Sequence, residues 1–301
     1  MKRVQLSSGD LLADRRADYA ELCFAEGDYS AAAELMRDAL LLVPLWPAGQ
    51  FRLGEMLEAA GRTADAVEAW HVALRLDPED RLGASLKLAL AGAVAPVPPP
   101  AHFVEMLFDQ YAEDFEAALV DRLGYKVPEL IDAALARIGR SPFHRVADLG
   151  CGTGLMGERL RDRTAVLEGF DISAEMLKRA EAKAIYDRLE KADLNDFQPE
   201  KGAFDLVTAA DVFMYLGPVE AILRTTREML KSAGLLAFSV ERHDGPDDFI
   251  LRPSRRYAHS RSSIERLLGS NGFQPAGIEE AVIRQDRGQP VQGLIVVAEA
   301  G

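Results

Sequence analysis

Cysteine is nearly missing from this chain. The two that occur in 301 residues, Cys23 and Cys151, exclude a disulfide-stapled scaffold and offer no metal-ligand spacing. Missing too is any run of about 18 apolar residues, the length a membrane span demands. The opening residues Met1-Lys2-Arg3-Val4-Gln5-Leu6-Ser7-Ser8 turn charged by Asp10 without an apolar signal core, so the expectation is a cytoplasmic protein with no membrane partner. Basic charge is short as well: 35 Lys and Arg against 48 Asp and Glu leave a net charge of −13. Phosphate neutralisation supplies most non-specific affinity for nucleic acid, so no such partner is expected. Arg252, Arg255, Arg256, Arg261 and Arg266 form a local basic cluster, which reads more readily as a solvated face than as a polyanion site.

What is present suffices for two domains, since 48% of the residues are hydrophobic and can fill a core in each. Residues 13–80 repeat. Gly27 and Gly61, Ala32 and Ala66, Ala39 and Ala73, and Pro44 and Pro78 are each 34 apart, the tetratricopeptide (TPR) period. Two helical hairpins follow, at 13–46 and 47–80, with the small residues at helix crossings, the glycines ending each first helix and the prolines stopping each second one. Leu35, Met36 and Leu40, then Val67, Trp70 and Leu74, supply the apolar stripes. Cys23 reads as a small buried hydrophobe. About three repeats are normally needed to close a core, so residues 82–93 are expected to cap the array, and the module leans on the second domain, a second copy or a peptide partner. Ala95-Pro96-Val97-Pro98-Pro99-Pro100 then interrupts all periodicity. This divides the chain into a helical domain at 1–94, an extended linker at 95–100 and a second domain at 101–301.

In the second domain, Phe103, Leu107, Phe108, Tyr111, Phe115, Leu119 and Leu123 recur at helical spacing over 102–123, and a helix at 128–138 follows. From residue 145, apolar strands alternate with amphipathic helices, which predicts a parallel sheet covered on both faces. Strands are placed at 145–149, 165–170, 185–189, 204–209 and 235–240. After a long polar loop at 241–260 and a helix at 261–271 capped by Ser260, an antiparallel hairpin of 278–285 and 291–298 closes a seven-stranded, mostly parallel α/β sheet.

Val146-Ala147-Asp148-Leu149-Gly150-Cys151-Gly152-Thr153-Gly154 reads as a buried strand that ends in an acid and a glycine turn. Such a turn lets backbone amides approach a ligand with no Cβ in the way, and the helix after it points its positive end there. Gly152 to Gly157 also satisfies G-x-G-x-x-G, with Asp171 near the ribose spacing, which keeps a dinucleotide-dependent oxidoreductase open. Asp148 divides the two readings: an anion there sits badly beside a pyrophosphate and well beside a cation.

The residues D-L-G-C-G-T-G, 148–154, resemble motif I of the class I S-adenosylmethionine (SAM)-dependent methyltransferases. The run F-D-Q-Y-A-E-D-F-E-A-A-L-V at 108–120 and R-Y-A-H-S at 256–260 resemble a bacterial group of predicted methyltransferases that carry TPR repeats. The resemblance implies a Rossmann-like domain with SAM as its cofactor. Asp148, Gly150, Cys151, Gly152 and Gly154 would cradle the cofactor, and Asp171 would hold its ribose. Ile172 and Met176 would flank the adenine, Asp193 and Leu194 would meet its edge, Ala210 and Asp211 would border the methyl group, and Tyr111 would close the pocket. On the acceptor side stands Tyr215. No metal is expected.

No Asn-Pro-Pro-Tyr signature follows the fourth strand, where the residues are Asp211-Val212-Phe213-Met214. The expected acceptor is therefore a small carboxylic acid or phenol, or a protein held by the repeats. Where the acceptor must lose a proton, His259 is the candidate base because an unperturbed imidazole titrates near neutrality, with Tyr215 and Asp211 as alternates. A non-catalytic adaptor, whose repeats bind a partner while the glycine-turn domain senses SAM, is the competing reading from another class.

Overall fold

The computed structural model describes residues 7–112, 116 and 123–301. Two compact units make up the chain, Met1–Phe103 and Val104–Gly301. The break falls inside helix α6 (Ala101–Tyr111) and not at the proline run. Of the helix expected over 102–123, Phe115 and Leu119 lie outside the described residues.

The first unit is all helical: α1 (Leu11–Ala25), α2 (Tyr29–Leu42), α3 (Pro47–Ala59), α4 (Thr63–Leu76) and α5 (Ala84–Leu90). Asp10 and Asp28 cap α1 and α2 by accepting from their first-turn amides, which have no partner within the helix. Gly27 and Gly61 follow α1 and α3 at φ +86° and +76°, a left-handed turn natural to glycine. Ala32, Ala39, Ala66 and Ala73 are buried, as the period required. At the α3–α4 crossing, a Cβ on Gly54 would stand 2.2 Å from the Trp70 indole nitrogen, and that nitrogen donates to the Phe51 carbonyl at 3.2 Å. Trp46 is buried in the same apolar cluster. Arg52 ties α3 to α1 through a two-pronged pair with Glu21 at 2.6 and 2.9 Å. Two expectations change here. The capping helix shrinks to the seven residues of α5, because Gly83 and Gly92, both at φ +72°, bracket it, and Cys23 is half-buried rather than buried. Among the described residues no helix is long and apolar enough to cross a membrane.

The second unit is built on a nine-stranded sheet. Its strands are β1 (Phe143–Leu149), β2 (Thr164–Asp171), β3 (Arg188–Lys191), β4 (Phe204–Ala209), β5 (Leu230–Arg242), β6 (Phe249–Leu251), β7 (Tyr257–His259), β8 (Phe273–Asp286) and β9 (Gln289–Ala300). Parallel strands run in the order β3-β2-β1-β4-β5, and β9 returns antiparallel on the far side of β5 and pairs with β8. The helices are α7 (Val127–Ile138), α8 (Leu155–Leu160), α9 (Ala174–Ala182), α10 (Glu220–Met229) and α11 (Arg261–Ser270). Apolar clusters lie on both faces of the sheet, which is why the parallel strands read as continuous apolar runs. The β8–β9 hairpin turns on Arg287 and Gly288, both at positive φ, as a two-residue hairpin loop requires.

The seven strands expected are nine, because the segment taken as a polar loop contains β6 and β7. Glu241 pairs with Gly293 of β9 on one edge and with Ala258 of β7 on the other. Thr208 of β4 pairs with Ala237 on that second edge. So β7 continues the sheet beyond the end of β4, and residues 256–259 stand over the carboxyl end of that strand.

Candidate functional site

Parallel strands that leave the sheet side by side deliver their next residues to one edge, where ligands bind in such folds. The order β3-β2-β1-β4 therefore lines up Asp193, Asp171, the glycine turn and Ala210-Asp211 along a single rim. Sequence spacing pointed to each of these. The sheet is what brings them together.

The turn after β1 is made of three left-handed glycines, Gly150, Gly152 and Gly154, at φ +60°, +55° and +94°. A Cβ on Gly150 would meet Val212 at 2.4 Å, one on Gly154 would press on Tyr186 at 3.1 Å, and one on Gly152 would meet nothing within 4 Å. Gly152 thus faces open space. The Cys151 amide donates to the Phe170 carbonyl at 3.0 Å, and its buried thiol, pushed up in pKa by desolvation, packs toward Gly169. Cys151 joins the turn to β2 through its backbone and presents no free amide to a ligand.

Two buried carboxylates flank the turn. Asp148 accepts from the hydroxyls of Tyr186 at 2.7 Å and Thr208 at 2.8 Å, and Asp171 accepts from the amides of Gly152 and Ser173, each at 2.8 Å. Asp171 therefore fixes the turn and α9, while the Ser173 hydroxyl caps that helix by accepting from the Met176 amide at 3.1 Å. Burial raises each carboxyl to about 6, because water is replaced by neutral donors. Among the described residues neither has a lysine or arginine partner. Two buried anions around an open glycine fit a ligand carrying an ammonium and a sulfonium.

Beyond them, Ile172 is half-buried and Met176 is 1% exposed in the first turn of α9. Asp193 accepts from the Asn195 amide at 2.9 Å and from its side chain at 3.0 Å, and Leu194 packs against the core. Ala210 is half-buried at the end of β4.

On the other side of the turn the chemistry is that of arginine. Asp211, in a left-handed conformation at φ +63°, accepts two bonds of 2.9 Å from Arg284 Nη1. Arg284 is 1% exposed and also pairs with buried Glu241. The Asp211 carboxylate, expected to border the methyl group or to serve as an alternate base, is thus held by Arg284 of β8. Tyr215 is buried, and its hydroxyl accepts from Arg256 Nε at 2.8 Å. The ring of Phe108, on α6, meets that of Tyr215 edge-on at 5.2 Å. Tyr111 is half-exposed, with its hydroxyl in the field of Arg256 and Tyr215.

His259 departs furthest from expectation. It is 1% exposed in β7, its Nε2 lies 2.8 Å from the Gly217 carbonyl, and burial lowers its pKa to about 4. A near-neutral imidazole ready to accept a proton is not what the fold provides. Nε2 faces an acceptor and so carries a proton, while burial leaves Nδ1 unprotonated near neutral pH, so a neutral ring braces the 213–217 turn. Tyr186, Arg284 and Glu241 escaped sequence reading. Gly154, Gly157 and Gly169, which all face Tyr186, were the available sign that a ring fills that space. Among the described residues no cluster of three or more His, Cys, Asp or Glu is arranged to hold a metal ion.

Comparison with known proteins adds a finding for the same region. Residues 146–234 match the family model described as a methyltransferase domain. A chloroplastic magnesium protoporphyrin IX methyltransferase of Arabidopsis thaliana is 29% identical over 147 residues, 43% of this chain and 46% of that protein. A malonyl-[acyl-carrier protein] O-methyltransferase of Enterobacter lignolyticus is 28% identical over 145 residues, 48% of this chain and 57% of the relative. The chain spans about half the length of these curated relatives. Among solved structures, the [4+2]-cyclase SpnF superposes with a TM-score of 0.56 at 18% identity over 68% of this chain and 97% of that one, which shows the shared fold alone.

Proposed function

We propose that the chain transfers a methyl group from SAM to a small-molecule or protein acceptor, starting from the match of residues 146–234 to the family model described as a methyltransferase domain. One observation carries the reading: two buried carboxylates, without a cationic partner among the described residues, flank a glycine that faces open space. Asp148 is the group for the donor's positive portion, and Asp171 and Asp193 are those for its ribose and adenine edge, with Ile172, Met176 and Leu194 as apolar walls. A pyrophosphate would bring more negative charge to the same pair, which disfavours the dinucleotide alternative.

The cofactor supplies a methyl on a sulfonium, open to in-line displacement by a nucleophile. What the chain adds is placement and exclusion of water, and positioning alone can supply roughly 7 to 11 kcal/mol. The Tyr215–Arg256 pair orients the acceptor, and Tyr111 closes the cofactor pocket. With His259 neutral and its Nε2 engaged, that imidazole is not the base, which suits an acceptor that is already nucleophilic. The relatives' names cover both kinds of acceptor, a small molecule in magnesium protoporphyrin IX and a malonyl group carried on a protein. The two hairpins of the first unit, whose second helices begin at Tyr29 and Thr63, support a TPR-type array for recruiting a peptide or substrate.

Calorimetry with SAM and with S-adenosylhomocysteine tests the cofactor reading: binding of both is expected, and its absence in Asp148→Ala and Asp171→Ala. Labelled methyl transfer into a cell lysate, with products sorted by size, then separates small acceptors from proteins. No heat from either ligand on folded protein sinks the proposal.

A further inference from the structure

Three guanidinium groups and two carboxylates meet beside the acceptor side of the site. Arg284, Arg252 and Arg256 face Asp211 and Glu241: Arg284 binds both acids, Arg252 Nε is 3.6 Å from Glu241, and Arg256 Nη1 is 4.0 Å from it. Within these five groups, among the described residues, one positive charge is in excess. It falls to Arg256, because Arg284 contacts both carboxylates and Arg252 Nε stands nearer to Glu241, at 3.6 Å, than Arg256 Nη1 does, at 4.0 Å.

Arg256 is held and yet unfinished. Its Nε donates to the Tyr215 hydroxyl at 2.8 Å and its guanidinium carbon lies 5.7 Å from the centre of that ring, so its plane is fixed. Among the described residues the Tyr215 hydroxyl is its hydrogen-bond acceptor, and the side chain is 25% exposed. The two Nη groups, a fork matched to a planar anion, therefore have donors to offer. The location is tied to the glycine turn: Val212, against which a Gly150 Cβ would collide, receives the Tyr215 amide on its carbonyl at 2.9 Å.

We propose, resting on the methyltransferase reading above, that the acceptor bears a carboxylate and that the Arg256 fork binds it, with Tyr215 as the positioning residue that holds the fork in place. A carboxylate matches a single surplus charge. A phosphate dianion would instead face Asp211 and Glu241 with excess negative charge.

The test uses the full chain loaded with S-adenosylhomocysteine and titrated with benzoate, succinate, their amides benzamide and succinamide, and inorganic phosphate, read by ligand-observed NMR. The acids should bind at least tenfold tighter than their amides and than phosphate. Arg256→Gln should erase that preference and Arg256→Lys should retain only part of it, with S-adenosylhomocysteine affinity held within about twofold in both. Tyr215→Phe should weaken acid binding without abolishing it. Equal binding of acids and amides, stronger binding of phosphate, no binding by any acid, or an unchanged preference in a folded Arg256→Gln protein overturns the proposal. Failure of S-adenosylhomocysteine to bind counts against the cofactor reading instead, and the acid-over-amide preference is then read on the free protein.

Discussion

Asp148 and Asp171 titrate near 3.8 in an unfolded chain and near 6 in the folded one, so between those values the folded state holds more protons. Stability of the ligand-free protein therefore gains from these two groups as pH falls through the window, and loses that gain as pH rises past about 6. Denaturation at pH 7 and pH 5 checks this: the parent should improve relative to Asp148→Asn on going to pH 5. His259 works in the opposite sense. Its pKa falls from 6.5 to about 4 on folding, so its contribution is lost as pH drops from about 6.5 to 4, and its NMR signals should show no titration between pH 7 and 5.5. Ligand binding adds a third measurement. Cationic SAM needs both acids ionised, so its affinity should fall below pH 6 by up to about tenfold per pH unit for each proton displaced. A flat calorimetric profile from pH 7.5 to 5 would contradict the assigned role of the pair.

Among the elements, the glycine turn invites a controlled comparison. Gly152 and Gly202 both have positive φ, at +55° and +60°, with nothing within 4 Å of an added Cβ. Alanine at either costs about 1 kcal/mol of backbone strain. Only Gly152→Ala should also weaken S-adenosylhomocysteine binding, by tenfold or more, because its methyl enters the cradle. Gly54→Ala tests packing instead: the methyl would enter the Trp70 indole, and overpacking of this kind costs about 1 to 3 kcal/mol, measurable as a lower Tm of the helical unit.

These same elements show what the sequence disclosed. The glycine turn and Asp171 were legible because adjacent strand ends are short stretches whose chemistry is local, and the hairpins were legible because a 34-residue period needs only subtraction. Strands β6 and β7 were not. Phe249-Ile250-Leu251 and Tyr257-Ala258-His259 are three-residue runs in a polar stretch, too short for periodicity to register. The Asp211–Arg284–Glu241 group was invisible for another reason: its members lie 73 and 43 residues apart, and nothing local marks an ion pair made by the sheet.

For the whole molecule, the division at Phe103 and Val104 gives ligand linkage a direction. A ligand that binds the folded second unit at a hundred times its Kd adds about 2.7 kcal/mol to that unit's stability. S-adenosylhomocysteine should therefore raise the unfolding transition of 104–301, followed by near-ultraviolet dichroism of its tyrosines. A shift confined to the helical transition would argue against placing the cofactor in the sheet.

Trp46 and Trp70, buried against Gly49 and Gly54, are the two tryptophans of the chain, and both belong to the helical half. Indole emission is thus a built-in lamp for that half alone, dark to events confined to the sheet. A spectral change on adding S-adenosylhomocysteine would be a signal that had travelled, and a silent spectrum would mean that ligand binding in the sheet leaves the indoles of the helical half undisturbed.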